Sequence, residues 1–489
     1  MIDSKQFIIT NNGYTHDDWY SFSLSCGKIL SYHKELQVHH NTDYSVVLLG
    51  HAWSVLPADQ QQSPQDFVIH SNCQITEEEI IQEEKTWCGR YLLIANGNIY
   101  LDTIGSLGVF YHADAISSSI RILCEYADIP IHYPNIKHRE APDFILGMDT
   151  GYHGINRLLP SQVLDLSSLQ YHTRRLLPDG HIKKEDEKEQ IESFKKVFTT
   201  SLANMSSTIS QNKIFIALTG GRDSRATLSM FENSNLYYDI FLLQHNRISD
   251  GDVYIPPLLS KSINKKLKYI KRTGKANSQL YKEYQIHCAG FAVDEDWLFY
   301  AYEQYQRLRE EHNNLIIIRS SVWEIPNNYY KHYNPEPYDI KKIYPDLIND
   351  PQQLTSAENW VRYASNDHIN SDIDLWDRTL WELRNGCWTS SIEQSLDILD
   401  DITSIQICNC RLFLSFLYGF SEKERYEKHH EEQIANYLCP QFKDIPYDYQ
   451  GGYVPKRVML MRKLKYNEEV FRGKIRDFVY GHIIKNGKK

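Results

Sequence analysis

The apolar positions of the chain change their period twice. Up to about residue 175 they come in short runs such as Tyr44-Ser-Val-Val-Leu-Leu49, set apart by polar turns, which predicts a β-rich region. In Gly89 to Tyr111, Asn96-Gly97 separates two alternating stretches, the pattern of a tight hairpin, and a second turn at Gly105-Ser106 leads to a third strand. Between Lys183 and Lys188 the chain is dense in charge, which marks a domain boundary and a solvated helix start. Ile191, Phe194, Phe198, Leu202 and Met205 then recur at spacings of 3, 4, 4 and 3, one face of a buried helix.

From residue 213 the pattern becomes strand, turn, helix. Lys213-Ile-Phe-Ile-Ala-Leu218 is short enough for a buried strand, breaks at Gly220-Gly221 and resumes as a helix from Ser224. Asp239 to Gln244 and Leu267 to Lys271 read as further strands, with a helix from Val253 to Lys261 between them. Such alternation favours a parallel sheet covered on both faces, with ligands at the carboxyl ends of its strands. Leu315-Ile-Ile-Ile-Arg319 is a further buried strand, and Leu375 to Trp388 is helical in spacing until Gly386, with Leu375 and Trp381 toward the core.

The turn at 218–224 carries the chemistry. Glycines allow the backbone close to a ligand, and the free N–H groups opening the next helix point at an anion. Thr219 and Ser224 add hydroxyls, and Arg222 and Arg225 could offset phosphate charge. Asp223 would repel phosphates unless a cation such as Mg²⁺ lay between them. The loop therefore reads as a site for ATP with magnesium. It lacks the Lys-Ser/Thr pair of the Gly-x-x-x-x-Gly-Lys-Ser/Thr phosphate loop. Thr219-Gly-Gly-Arg-Asp-Ser224 closely resembles the Ser-Gly-Gly-x-Asp-Ser signature of the ATP pyrophosphatase (PP-loop) enzymes, which implies cleavage of ATP between the α and β phosphates.

The resemblance extends outward from the loop. Asp102, Gly105 and Tyr111 fall where the N-terminal glutaminase domain of asparagine synthetases has an Asp-x-x-Gly turn and a strand ending near Tyr. Gly154-Ile-Asn-Arg-Leu-Leu-Pro-Ser-Gln-Val-Leu164 is similar to that family's Gly-Ile-x-x-Leu-x-Pro-Gly-x-x-Leu stretch. The family implies an α+β N-terminal Ntn-hydrolase-like β-sandwich over residues 1–180. An α/β PP-loop (adenine nucleotide α-hydrolase-like) parallel-sheet synthetase domain follows over residues 181–489. Glutamine-hydrolysing members expose a cysteine as the new N-terminus; here position 2 is Ile and Cys26 lies too far along the chain. The first domain is thus expected to be a glutaminase-like shell without that activity, as in the β-lactam synthetases.

Further site residues follow from the same resemblance. Trp323 stands where the family has a magnesium-binding Asp, and Glu324 is the substitute metal ligand beside Asp223, with a salt bridge or helix-start carboxylate as its other role. Glu382 and Arg384 could face the cleft, Glu382 to help deprotonate an amine, or form a structural ion pair. Lys456, with Arg457 as fallback, is the candidate for the lysine that stabilises charge on the departing pyrophosphate, against a solvated place in a basic tail. Leu218, Thr219, Gly220, Gly221, Arg222, Asp223 and Ser224 form the nucleotide cradle.

Composition narrows the partners. Net charge is −10, against broad nucleic-acid binding, although Lys456 to Lys489 carries 11 Lys or Arg and 3 Asp or Glu. No apolar run approaches a membrane span and the start lacks a signal-peptide pattern, so the expected location is cytoplasmic, compatible with a homodimer. The nine cysteines show no Cys-x-x-Cys pair and read as reduced, partly buried side chains.

Together these readings predict a ligase that uses ATP to adenylate a carboxylate and passes it to an amine or ammonia. The acid could belong to a small metabolite, a peptide or a sugar. A silent scaffold that keeps the fold, with or without the nucleotide, is the alternative. An enzyme of transfer RNA shares the loop type, but would need a nucleic-acid surface and, for sulfur transfer, paired cysteines.

Overall fold

The computed structural model describes residues 4–131, 144–178, 187–209, 213–244, 248–271, 278–289, 295–312, 314–427, 429–452 and 454–460. Two antiparallel six-stranded sheets lie in the N-terminal part, and an all-parallel five-stranded sheet follows.

The two antiparallel sheets pack face to face, and one strand shows why. In Val46–Ser54, Val47 and Leu49 point to the partner sheet and meet Phe7, Ile9 and Leu30. Val46, Leu48 and Ala52 point the other way, under the helices Pro64–His70 and Glu77–Glu84, against Phe67, Val68 and Ile80. Alternate side chains take opposite faces, so a strand covered on both sides is apolar throughout rather than every second residue. The expected hairpin is present: Ala95 pairs with Asn98 across Asn96 (φ 49°) and Gly97 (φ 76°), the two left-handed residues of a type I′ turn.

The next turn departs from a simple meander. Phe110–His112 does not pair beside Asn98–Leu101 but crosses to the other sheet, between Asn156–Arg157 and Ala115–Ser117. The buried Asp102 carboxylate causes the crossing. It accepts from the backbone N–H groups of Tyr91 (3.2 Å), Ile104 (3.1 Å) and Ser106 (3.0 Å), which folds the chain back before it can extend the hairpin.

The helix Glu187–Thr208 buries the anticipated face, with Ile191, Phe194, Phe198, Leu202 and Met205 each at most 3% exposed. That face packs on Ile214 and Ile216 of the parallel sheet and on Trp323. Across the parallel sheet the strands run Leu267–Lys271, Tyr238–Gln244, Lys213–Ala217, Leu315–Arg319, Ile402–Gln406. The chain builds outward on one side of Lys213–Ala217 and then returns to its other side, so the order reverses between Lys213–Ala217 and Leu315–Arg319. Crevices at such reversals, beyond the carboxyl ends of the strands, take ligands in open α/β sheets.

The sandwich and the parallel sheet share a core. Ile8, Phe110 and Ile120 pack in one cluster with Phe215, Phe241 and Ile317. Buried polar links add to it: Trp53 Nε1 donates to Ser201 Oγ (2.9 Å), and Trp381 Nε1 to the Thr103 carbonyl (2.7 Å). Glu84 pairs with both Arg174 (3.0 Å) and Arg411 (3.2 Å).

The helical stretch expected to stop at Gly386 does not stop there. An α-helical turn, Leu375–Arg378, widens into a π-helix over Thr379–Thr389 and continues as Ser390–Ser395. Gly386 is needed for contact rather than termination, since a β-carbon there would lie 3.2 Å from the Pro160 ring. Among the described residues no helix is long and apolar enough to cross a membrane.

The cysteines divide sharply. Cys26 and Cys73 are exposed and the other seven are buried. Burial pushes the Cys88 and Cys408 thiols well above their ordinary range and those of Cys410 and Cys439 up to about 12. Since the thiolate is the reactive form, a thiol reagent at neutral pH is expected to titrate two groups quickly and the remainder only after denaturation. Three or more fast groups would contradict this packing.

Candidate functional site

The strand Lys213–Ala217 delivers its chain to the order reversal, and residues 218–224 turn it there into the helix Arg222–Glu232. Leu218 is buried and its N–H donates to the Phe241 carbonyl (2.9 Å), which ties the loop to the neighbouring strand. Thr219 and Ser224 brace the turn: the Thr219 N–H donates to Ser224 Oγ (3.1 Å), and the two hydroxyls lie 3.0 Å apart. The helix begins at Gly221 with no side-chain cap. Its first-turn N–H groups are therefore left for an anion rather than for a capping residue.

Gly220 is required by close approach. A β-carbon there would sit 2.6 Å from the backbone of Gly251, at the start of the helix Asp250–Ser262. The Gly220 N–H donates to Asp252 Oδ1 (2.7 Å), so a second helix start braces the first.

Beside the loop lies a cavity of about 330 Å³. Thr219, Asp223 and Ser224 form its polar side, with Ser320 and Ser321 beyond the end of Leu315–Arg319; Phe241, Leu242, Leu243 and Ile248 form its apolar side. Asp223 Oδ1 is buried and accepts no hydrogen bond from the protein. A buried carboxylate oxygen left so is costly unless a cation or water meets it, so Asp223 is the loop residue that could hold a divalent cation. Among the described residues no group of three or more His, Cys, Asp or Glu could hold a metal.

The remaining candidates are scattered. Glu324, on the turn Ser321–Asn327, is bound to Arg384 (3.3 Å) and Asn385 (3.3 Å) and does not line the cavity. Trp323 is fully buried, ringed by the core, and donates to Thr227 Oγ1 (3.0 Å) behind the loop helix. Glu382 does not face the cleft. It is fully buried and receives Arg378 (2.9 Å), Trp360 Nε1 (3.1 Å) and the Ser161 hydroxyl. Glu382 and Arg384, weighed as an ion pair from the sequence, pair elsewhere: Glu382 with Arg378, and Arg384 with Glu324, its guanidinium 3.5 Å over the Trp388 ring. Lys456 and Arg457 are exposed on a short helical turn. Ile2 lies outside the described residues.

The loop arginines also differ from expectation. Arg225 is fully buried and Arg222 mostly so, and both are engaged by the C-terminal segment rather than turned to the cavity. Arg222 Nε pairs with Glu432 (2.6 Å), and Arg225 donates to the carbonyls of Ile445 and Pro446.

Sequence reasoning missed several cavity residues, Arg319 and Asp252 among them. Arg319 lines the far wall, its Nε 3.4 Å from the buried Glu393; a charge ending an apolar parallel strand was the available signal. Asp252 was signalled by Ser249-Asp-Gly-Asp252, an N-cap pattern at a helix start. Compared with known proteins, the chain matches no family model, and no curated protein matches it significantly.

Proposed function

We propose that the chain is an ATP-dependent amide-forming ligase of the asparagine-synthetase type, without glutaminase activity of its own. The observation that carries this reading is the uncapped helix start at Gly221 beside the orphaned Asp223 Oδ1, on a cavity at the order reversal of a parallel sheet. The amides of the first turn would orient the phosphates, with Thr219 and Ser224 holding the turn's shape. Asp223 would hold the magnesium ion, which supplies charge neutralisation at the phosphates. The apolar side of the cavity suits a purine ring, and the hydroxyls of Ser320 and Ser321 face the polar end. The substrate carboxylate attacks the α phosphorus and pyrophosphate leaves; an amine or ammonia then attacks the acyl carbon and AMP leaves. Lys456 would come to the leaving pyrophosphate.

The test is calorimetry with a non-hydrolysable ATP analogue, with and without Mg²⁺, followed by a screen of acids and amines for pyrophosphate release. Lys456→Ala is expected to keep analogue binding within about twofold and to lower pyrophosphate release by roughly two to three orders of magnitude, as loss of a transition-state donor does. Equal turnover in the variant would remove Lys456 from the mechanism.

The silent-scaffold reading is favoured by one specific observation. The position of the family's second metal-binding Asp is a buried Trp, and its neighbour Glu324 is engaged by Arg384. Magnesium-dependent binding without turnover on any acid would support it.

A further inference from the structure

We propose that Arg222 and Arg225 are positioning residues that fasten the segment 445–450 as a strap across the mouth of the phosphate loop, and are not themselves phosphate ligands. The strap is independent of the ligase reading; its consequence for turnover rests on that reading.

The two arginines grip the segment in sequence. Arg225, fully buried, donates through Nη1 to Ile445 O (2.8 Å) and through Nη2 to Pro446 O (2.6 Å), with its guanidinium 3.6 Å over the Tyr447 ring. Arg222 lies 3.9 Å over the Tyr449 ring while Glu432 holds its Nε, and the Tyr449 hydroxyl donates to the same Glu432 oxygen (2.7 Å). Between them the Asp448 N–H donates to Gly220 O (3.3 Å). A β-carbon on Gly251 would come 2.6 Å from Asp448 Cβ, so the strap rests on both glycine walls of the loop. Arg225 commits Nη1, Nη2 and its π face to the strap, Arg222 its Nε and π face, and neither arginine lines the cavity. Such contacts are worth more when desolvated, as Arg225 and Tyr447 are, at 0% and 3% exposed.

The strap ends at a swivel. Gly451 (φ 68°) and Gly452 (φ 74°) both have left-handed backbone, and nothing lies within 4 Å of where their β-carbons would be. Lys456 follows six residues after Gln450, a span of at most about 20 Å at full extension. The arginines thus fix the start of the stretch that leads to Lys456, and the strap ends at two glycines of left-handed backbone.

Arg222→Gln and Tyr449→Ala in the full chain test this; Arg225 is too buried for a clean variant. Hydrogen exchange of the 445–452 peptide is expected to speed up by tenfold or more in both, while the affinity for the Mg²⁺–ATP analogue moves less than twofold. For pyrophosphate release, kcat should fall with KM for ATP unchanged. Unchanged exchange in Arg222→Gln overturns the strap, and an analogue affinity weakened tenfold or more makes Arg222 a phosphate ligand and overturns the assignment. Absence of nucleotide binding by wild type removes the ligase reading, and the exchange comparison still decides the strap.

Discussion

Asp223→Ala is expected to abolish magnesium-dependent binding of a non-hydrolysable ATP analogue and to leave the melting temperature at or slightly above that of wild type. Both halves follow from the same atom. Asp223 Oδ1 is buried with no hydrogen bond from the protein, so its removal breaks no hydrogen bond of that oxygen and takes away a buried polar atom left without a protein partner. For a nucleotide the balance reverses. On the proposed reading, a magnesium ion would lose its protein ligand in the loop without the carboxylate, and the phosphates would face only amides and hydroxyls. Stabilisation by a bound ligand is RT ln(1 + [L]/Kd), so saturating Mg²⁺ with the analogue should raise the melting point of wild type and not that of the variant. A variant that binds the analogue as tightly as wild type, with the same magnesium requirement, would place the metal elsewhere.

What the chain's pattern made legible was local. The helical face from Ile191 to Met205, the type I′ hairpin at Asn96-Gly97 and the strand–loop–helix at 213–232 each depend on neighbours within a few residues, and each is present. What the pattern could not carry were partners from distant parts of the chain. Arg222 and Arg225 read as phosphate cations because they flank a glycine loop; that tyrosines more than 200 residues later would occupy them depends on tertiary packing. Glu382 read as a cleft residue, or as half of a structural ion pair, from its position in the family resemblance. Its burial depends on Ser161, which comes from another sheet region altogether. Phe110–His112 changed sheets because one buried carboxylate, Asp102, folds its own turn, and no alternation of apolar residues encodes that.

The largest stability effect is expected at Asp397. Arg90 and Asp397 form a two-pronged ion pair at 2.5 and 2.7 Å, with side chains 6% and 2% exposed. It joins the strand Trp87–Ala95 of the sandwich to the segment just before the last parallel strand, Ile402–Gln406. Gln6 adds a third donor to the carboxylate (3.2 Å), and the Ser106 carbonyl receives the rest of the guanidinium (3.2 Å). Asp397→Ala leaves the buried Arg90 charge without its paired carboxylate, hydrogen-bonded to that carbonyl with Glu393 and Asp102 nearby, and breaking such a pair costs about 3–5 kcal/mol, a large part of the 5–15 kcal/mol typical of a domain. Urea unfolding should show it as a lowered midpoint with an unchanged slope, in one transition, because the sandwich and the parallel sheet share a core. The double variant Arg90→Met, Asp397→Leu separates the pair's net worth from the penalty of an orphaned charge. Replacing both charges by apolar groups of similar size is often neutral or better, so the double variant should recover most of the loss. If it is as unstable as Asp397→Ala, the ion pair itself holds the two halves together. If it recovers, the shared apolar core does so, and the pair serves to fix how the sandwich is seated on the sheet that carries the site.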